Sequence, residues 1–154
     1  MVTDQSKWQV FLETVREWTA TLPQASVTIE ERQPRYEYER EIVIKPVGID
    51  SFTLTIGIRC DDTYDVLIQN SLGYIEATEI PVSDDVGLDL LKAVTRGQIR
   101  QLVWECKGKI VRTETELMAS SSVWKTWKTH FGWIWCRFFG LAKPRLIEYQ
   151  PWNI

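Results

Sequence analysis

The chain has 154 residues, 44% of them hydrophobic and 25% charged, which is the length and composition of one ordinary globular domain and excludes an extended disordered chain. Its net charge of −3 argues against a general nucleic-acid binder, which carries an excess of positive charge. That charge is uneven: from Val123 onward Lys125, Lys128, Arg137, Lys143 and Arg145 face a single acid, Glu148, for +4, whereas the first 122 residues carry −7.

Trp8, Phe11, Leu12, Val15, Trp18 and Leu22 recur at three-and-four spacing, which predicts an amphipathic helix from Ser6 to Thr21. Ser6 with Gln9 fits a capping box, and Pro23 marks the stop. A period of two follows. Val27 and Ile29 alternate with polar residues, then Tyr36, Tyr38, Ile42 and Ile44, then Phe52, Leu54, Ile56 and Ile58, then Tyr64, Val66 and Ile68, then a shorter strand from Tyr74 to Thr78. Short polar turns such as Cys60-Asp61-Asp62-Thr63 separate them, so the strands form an antiparallel meander rather than a parallel sheet.

Ser83 or Asp84 caps a second helix through Val86, Leu90, Leu91 and Val94, and Gly97 suits the left-handed position past its end. A hairpin follows, Leu102-Val103-Trp104, a turn at Lys107-Gly108, and Ile110 to Glu116. Trp124, Trp127, Phe131, Ile134 and Phe138 have helical spacing, which predicts a helix for Val123 to Phe131, with Trp133 to Phe139 open between helix and strand. Arg145 to Tyr149 reads as a last strand. The fold class is α+β in a single domain over residues 1–154: an N-terminal helix, a mostly antiparallel sheet of six or seven strands, a second helix, a hairpin and a C-terminal aromatic helix.

Catalytic and metal chemistry find little to stand on. Cys60, Cys106 and Cys136 lie 46 and 30 residues apart and there is one histidine, His130, so the close Cys/His pairs of a zinc site are missing. Three separate thiols in a reducing cytoplasm are expected. His130 and Cys136 lack a third residue to orient them. Asp61, Asp62 and Asp65 lack the spacing of a calcium loop and suit a turn, and the glycines form no phosphate-binding pattern. No cofactor is expected. No secretory leader is visible, and the mostly apolar run over 131–142 is too short to span a bilayer.

Two groups of residues point to partners. Glu37, Glu39 and Glu41 at two-residue spacing share one face of an ideal strand, an acidic surface that would steer a basic protein. Trp124, Trp127, Trp133 and Trp135 fall within twelve residues, beside three phenylalanines. They can cover the sheet, anchor a partner or an oligomer contact, or lie on a membrane. The partner-binding candidates are therefore Glu37, Glu39, Glu41, Trp133 and Trp135. The order of elements in a small acidic protein is similar to that of secretion chaperones and small bacterial immunity proteins, a likeness of architecture that implies protein binding. The expectation is a cytoplasmic, non-enzymatic protein-binding module. The alternative is a small-molecule-binding or catalytic domain with an aromatic-lined pocket between the sheet and the C-terminal helix.

Overall fold

The apolar stripe near the N-terminus folds as α1 (Asp4–Ala20), and Phe11, Val15, Trp18 and Leu22 are buried as their spacing requires. The structure, a computed structural model, describes residues 4–23, 27–32, 38–48, 51–120, 122–130 and 132–152. After α1 come β1 (Val27–Arg32), β2 (Tyr38–Pro46), β3 (Thr53–Arg59), β4 (Thr63–Gln69) and β5 (Tyr74–Pro81), each antiparallel to the next in one five-stranded sheet. Period-two alternation places Ile42, Ile44, Leu54, Ile56, Tyr64, Val66, Ile68 and Ile75 on the face that meets the helices. The Phe11 and Tyr64 rings touch there at 4.5 Å between centroids.

α2 (Val86–Thr95) has Asp85, not the expected Ser83 or Asp84, at its N-cap, without a side-chain capping bond. The Asp84 carboxylate accepts the Val86 amide N–H, and the helix ends as Gly97 turns at φ +74. Gly87, Leu88, Leu90, Leu91, Ala93 and Val94 are all buried, leaving α2 little exposed face, because it lies between two sheets. The second sheet holds β6 (Ile99–Cys106), β7 (Lys109–Ala119), β8 (Ser122–Thr129) and β9 (Lys143–Glu148) in the order β8-β7-β6-β9, and α3 (Trp133–Phe138) joins β8 to β9. The α+β class is as expected, but the strands form sheets of five and four rather than one sheet, because α2 separates β5 from β6.

Residues expected as a helix from Val123 are instead β8, in unbroken register with β7: Met118 faces Val123, Glu116 faces Lys125 and Glu114 faces Trp127. Val, Thr and Trp favour the pleat, and the eleven-residue β7 offers an edge long enough to pair them all. Phe131, the expected end of that helix, lies outside the described residues. The ambiguous segment resolves as helix, in α3.

A polar hub ties the sheets together. Asn70, in the β4–β5 turn, and Gln101, in β6, exchange two side-chain amide hydrogen bonds, each 3.0 Å. Tyr149 Oη donates to Gln101 Oε1 at 2.7 Å, and Gln101 Nε2 also donates to Thr115 Oγ1 at 3.0 Å. Gly73 packs so closely here that a Cβ would lie 2.3 Å from Thr115 Oγ1. Beyond β9, Trp152 is buried in the core, donating from its amide to the Thr95 carbonyl and from its indole to Ser51 Oγ. Among the described residues no helix is long and apolar enough to cross a membrane.

Candidate functional site

A β-bulge in β2 decides where the acidic candidates point, and a second one, in β5, builds the node beside them. Tyr38 pairs with Arg59 but Arg40 pairs with Ile58, so Glu39 is an extra residue in β2. The alternation slips there. Glu39 and Arg40 line a cavity of about 600 Å³ on the α1 side, with Trp8, Leu12, Arg16 and Cys60. Glu41 lies on the opposite face, in a cleft of about 320 Å³ floored by Val43 and Leu67 and walled by Lys45, Gln69 and Glu76. The shared face expected for Glu39 and Glu41 is therefore lost. Glu37 lies outside the described residues.

The second bulge, at Thr78–Glu79 of β5, turns Glu79 to φ +55 and aims its amide N–H at Asp65 Oδ1, 2.8 Å away. Asp65 Oδ2 accepts from Tyr38 Oη at 2.8 Å and from Arg59 Nε and Nη2 at 3.0 and 2.8 Å. Asp65 is thus the buried node that joins β2, β3, β4 and β5 at one end of the cleft. Burial raises its pKa, but the Arg59, Glu79 and Tyr38 hydrogen bonds outweigh burial and hold the carboxyl below its usual range. Burial, then the bond to Asp65, pushes Tyr38 up to about 12. Gly57 makes room for the Tyr38 ring, since a Cβ there would come 2.5 Å from it. These groups saturate one another, an arrangement suited to fixing strands rather than to proton transfer.

The aromatic candidates converge on the second sheet. Gly132, at φ +99, turns the chain out of β8 and into α3. Trp133 packs down: its ring lies 5.5 Å from that of Trp104, and the Arg112 guanidinium sits 5.1 Å from the Trp133 centroid and 5.5 Å from the Trp104 centroid. Three residues on, Cys136 is disulfide-bonded to Cys106 at the end of β6, with their Cα atoms 6.3 Å apart. This corrects the expectation of three free thiols; Cys60 alone is free, and it is exposed. Sequence separation hid the pair, because the path through β7 and β8 brings a cysteine thirty positions away back to the hairpin tip. The bond also removes the Cys136 sulfur from any pairing with His130.

The other side of α3 faces solvent. Ile134 is 78% exposed, Trp135 65%, Phe138 80% and Phe139 62%, and α3 buries no residue at all. Trp135 stacks on Phe139 at 6.3 Å, and Phe138 meets Phe139 edge-on at 5.3 Å, so the rings form one cluster. Trp127 and Leu146 add exposed apolar surface on the flanking strands, whereas Trp124 packs inward against the core. Lys128, Arg137 and Lys143 are exposed around the cluster and carry no ion pair among the described residues, whereas Arg145 pairs with Glu105 at 2.8 Å.

The exposed side of α3 is a solvent-facing platform, and the two cavities above lie on the first sheet. Trp135 was legible as a candidate, whereas Ile134, Phe138 and Phe139, its partners on the exposed side, stood out as apolar neighbours but not as partner-binding residues. The i+1, i+4 and i+5 spacing of Trp135, Phe138 and Phe139 from Ile134 is the signal that links them once α3 is known to be a helix. Comparison with known proteins finds no matching family model, no matching curated protein and no matching solved structure.

Proposed function

We propose that this chain is a non-enzymatic docking module whose α3 platform seats in an apolar groove of a partner protein. One observation carries this: a short helix and its C-cap residue Phe139 put four large apolar side chains in water, held in place through the opposite side by Cys136 and Trp133. Monomeric proteins rarely leave such a cluster uncovered, and rigid aromatic side chains are the usual anchors of an interface. The rim of Lys128, Arg137 and Lys143 fits a groove edged by carboxylates. The partner chemistry thus shifts from the basic protein that Glu37, Glu39 and Glu41 suggested, since no single flat partner can meet Glu39 and Glu41 together. Cytoplasmic location remains part of the proposal.

The test compares wild type with Trp135→Ser/Phe138→Ser as baits in native lysate, with sedimentation of each. A protein retained by wild type and lost by the variant, at equal melting temperature, supports the proposal. Self-association lost in the variant makes the occupant a second copy. Equal capture by both baits, with no self-association, sinks it. A second reading rests on the cleft of about 320 Å³, whose apolar floor and mixed polar walls suit a small polar ligand. A compound that raises the melting temperature of wild type but not of Gln69→Leu would favour it.

A further inference from the structure

The platform depends on few contacts. From 132 to 142 the backbone bonds are local: Trp133 N–H donates to His130 O, Cys136 to Gly132 O, Phe139 to Trp135 O, Gly140 to Arg137 O, and Leu141 and Ala142 to Cys136 O. α3 buries no side chain, and at six residues it is far shorter than a helix that stands alone in water. Among the described residues, Trp133 binds it to the sheet through Trp104 and Arg112, and Cys136 binds it through Cys106. The flanking strands β8 and β9 are each paired in full register and do not need α3 to stay in place.

We propose that the Cys106–Cys136 bond is a thiol-sensitive clasp: formed, it fixes α3 as a rigid platform; reduced, it releases the segment between β8 and β9 while both sheets persist. This rests on the docking role proposed above and adds its regulation. Cys106 is 5% exposed while Cys136 is half-buried, so a reductant meets the bond from the Cys136 side. The thiolate of a dithiol reductant attacks Cys136 Sγ, forming a mixed disulfide and expelling Cys106 as a thiolate, which takes a proton. The reductant's second thiol then displaces Cys136, so two electrons and two protons pass to the protein and the reductant leaves oxidised. A bond of this kind in a reducing compartment is transient and suited to sensing. A rigid platform binds without the ordering that a loose one must undergo, so reduction weakens docking.

The experiment uses dithiothreitol as the reductant and trypsin as the probe, with mass spectrometry following the Arg137–Phe138 bond. Cleavage after Arg59 and Arg100, within the sheets, is the internal control. Reduction should speed cleavage after Arg137 by at least about tenfold and leave the two controls unchanged. The Cys106→Ser/Cys136→Ser variant should reproduce that pattern without reductant. Three reactive thiols in unfolded, unreduced protein would overturn the clasp, as would equal cleavage after Arg137 before and after reduction. Because this assay contains no partner, its failure is distinct from failure of the docking role, which the Trp135→Ser/Phe138→Ser bait reads alone. A captured partner that holds reduced and oxidised protein equally well would overturn the regulatory role.

Discussion

Asp65 shows how much one side chain can fix when four strands converge on it. Replacing it by Asn leaves the shape but removes the negative charge from a buried ion pair with Arg59, and should cost about 3 kcal/mol in urea unfolding at neutral pH. The folded-state pKa of Asp65 is depressed, so its contribution is present above the ordinary carboxylate range and is lost as pH falls through the folded value. The gap between wild type and Asp65→Asn should therefore narrow on acidification, and a constant gap would remove the ionic explanation. Tyr38 and Tyr64 work at the other end of the scale, each pushed up to about 12, Tyr64 chiefly by burial. A raised folded-state value stabilises below the unfolded pKa of about 10 and is lost as pH rises towards about 12. Melting temperature should fall across that window, and less steeply for Tyr38→Phe.

At the scale of elements, α1 and α3 are opposites and should respond as opposites. Trp18→Ala removes a buried ring from the core and should cost about 3–5 kcal/mol, whereas Trp135→Ala should move stability by no more than about 0.5 kcal/mol. Denaturant titration of both variants checks the contrast. The same contrast explains what sequence patterning could reveal. α1, the five-strand meander and the β6–β7 hairpin each bury one regular face, so their periods stand out, and α2 is marked by its run of apolar residues between caps. β8 misled because Trp124 and Trp127, three apart, imitate a helical stripe while pointing to opposite faces of a strand. The Glu39 bulge left no local mark either, since only the pairing of Tyr38 and Arg40 with β3 reveals the slip. Trp135 was legible as chemistry, but its exposure was not, because exposure follows from what α3 turns toward the sheet.

Across the whole molecule, charge and topology set how the chain meets others and how it forms. The first 122 residues carry −7 and the remainder +4, so the platform lies within the basic segment of the chain. Arg137→Gln/Lys143→Gln should slow association with a captured partner, and the loss should shrink as salt shortens the screening length to about 8–10 Å. Trp135→Ala should instead speed dissociation at every salt concentration. Trp152 reaches far along the chain, for its indole meets Ser51 Oγ from 101 residues away. Until that far segment returns, the first sheet's core stands open beside α2. Folding speed is therefore governed by long-range loop closure rather than by its quickly formed helices, which places refolding in the range of about milliseconds to seconds. During that interval the unsealed core and the unpaired edge of β6 are exposed together, and this is when the nascent chain is most prone to aggregate.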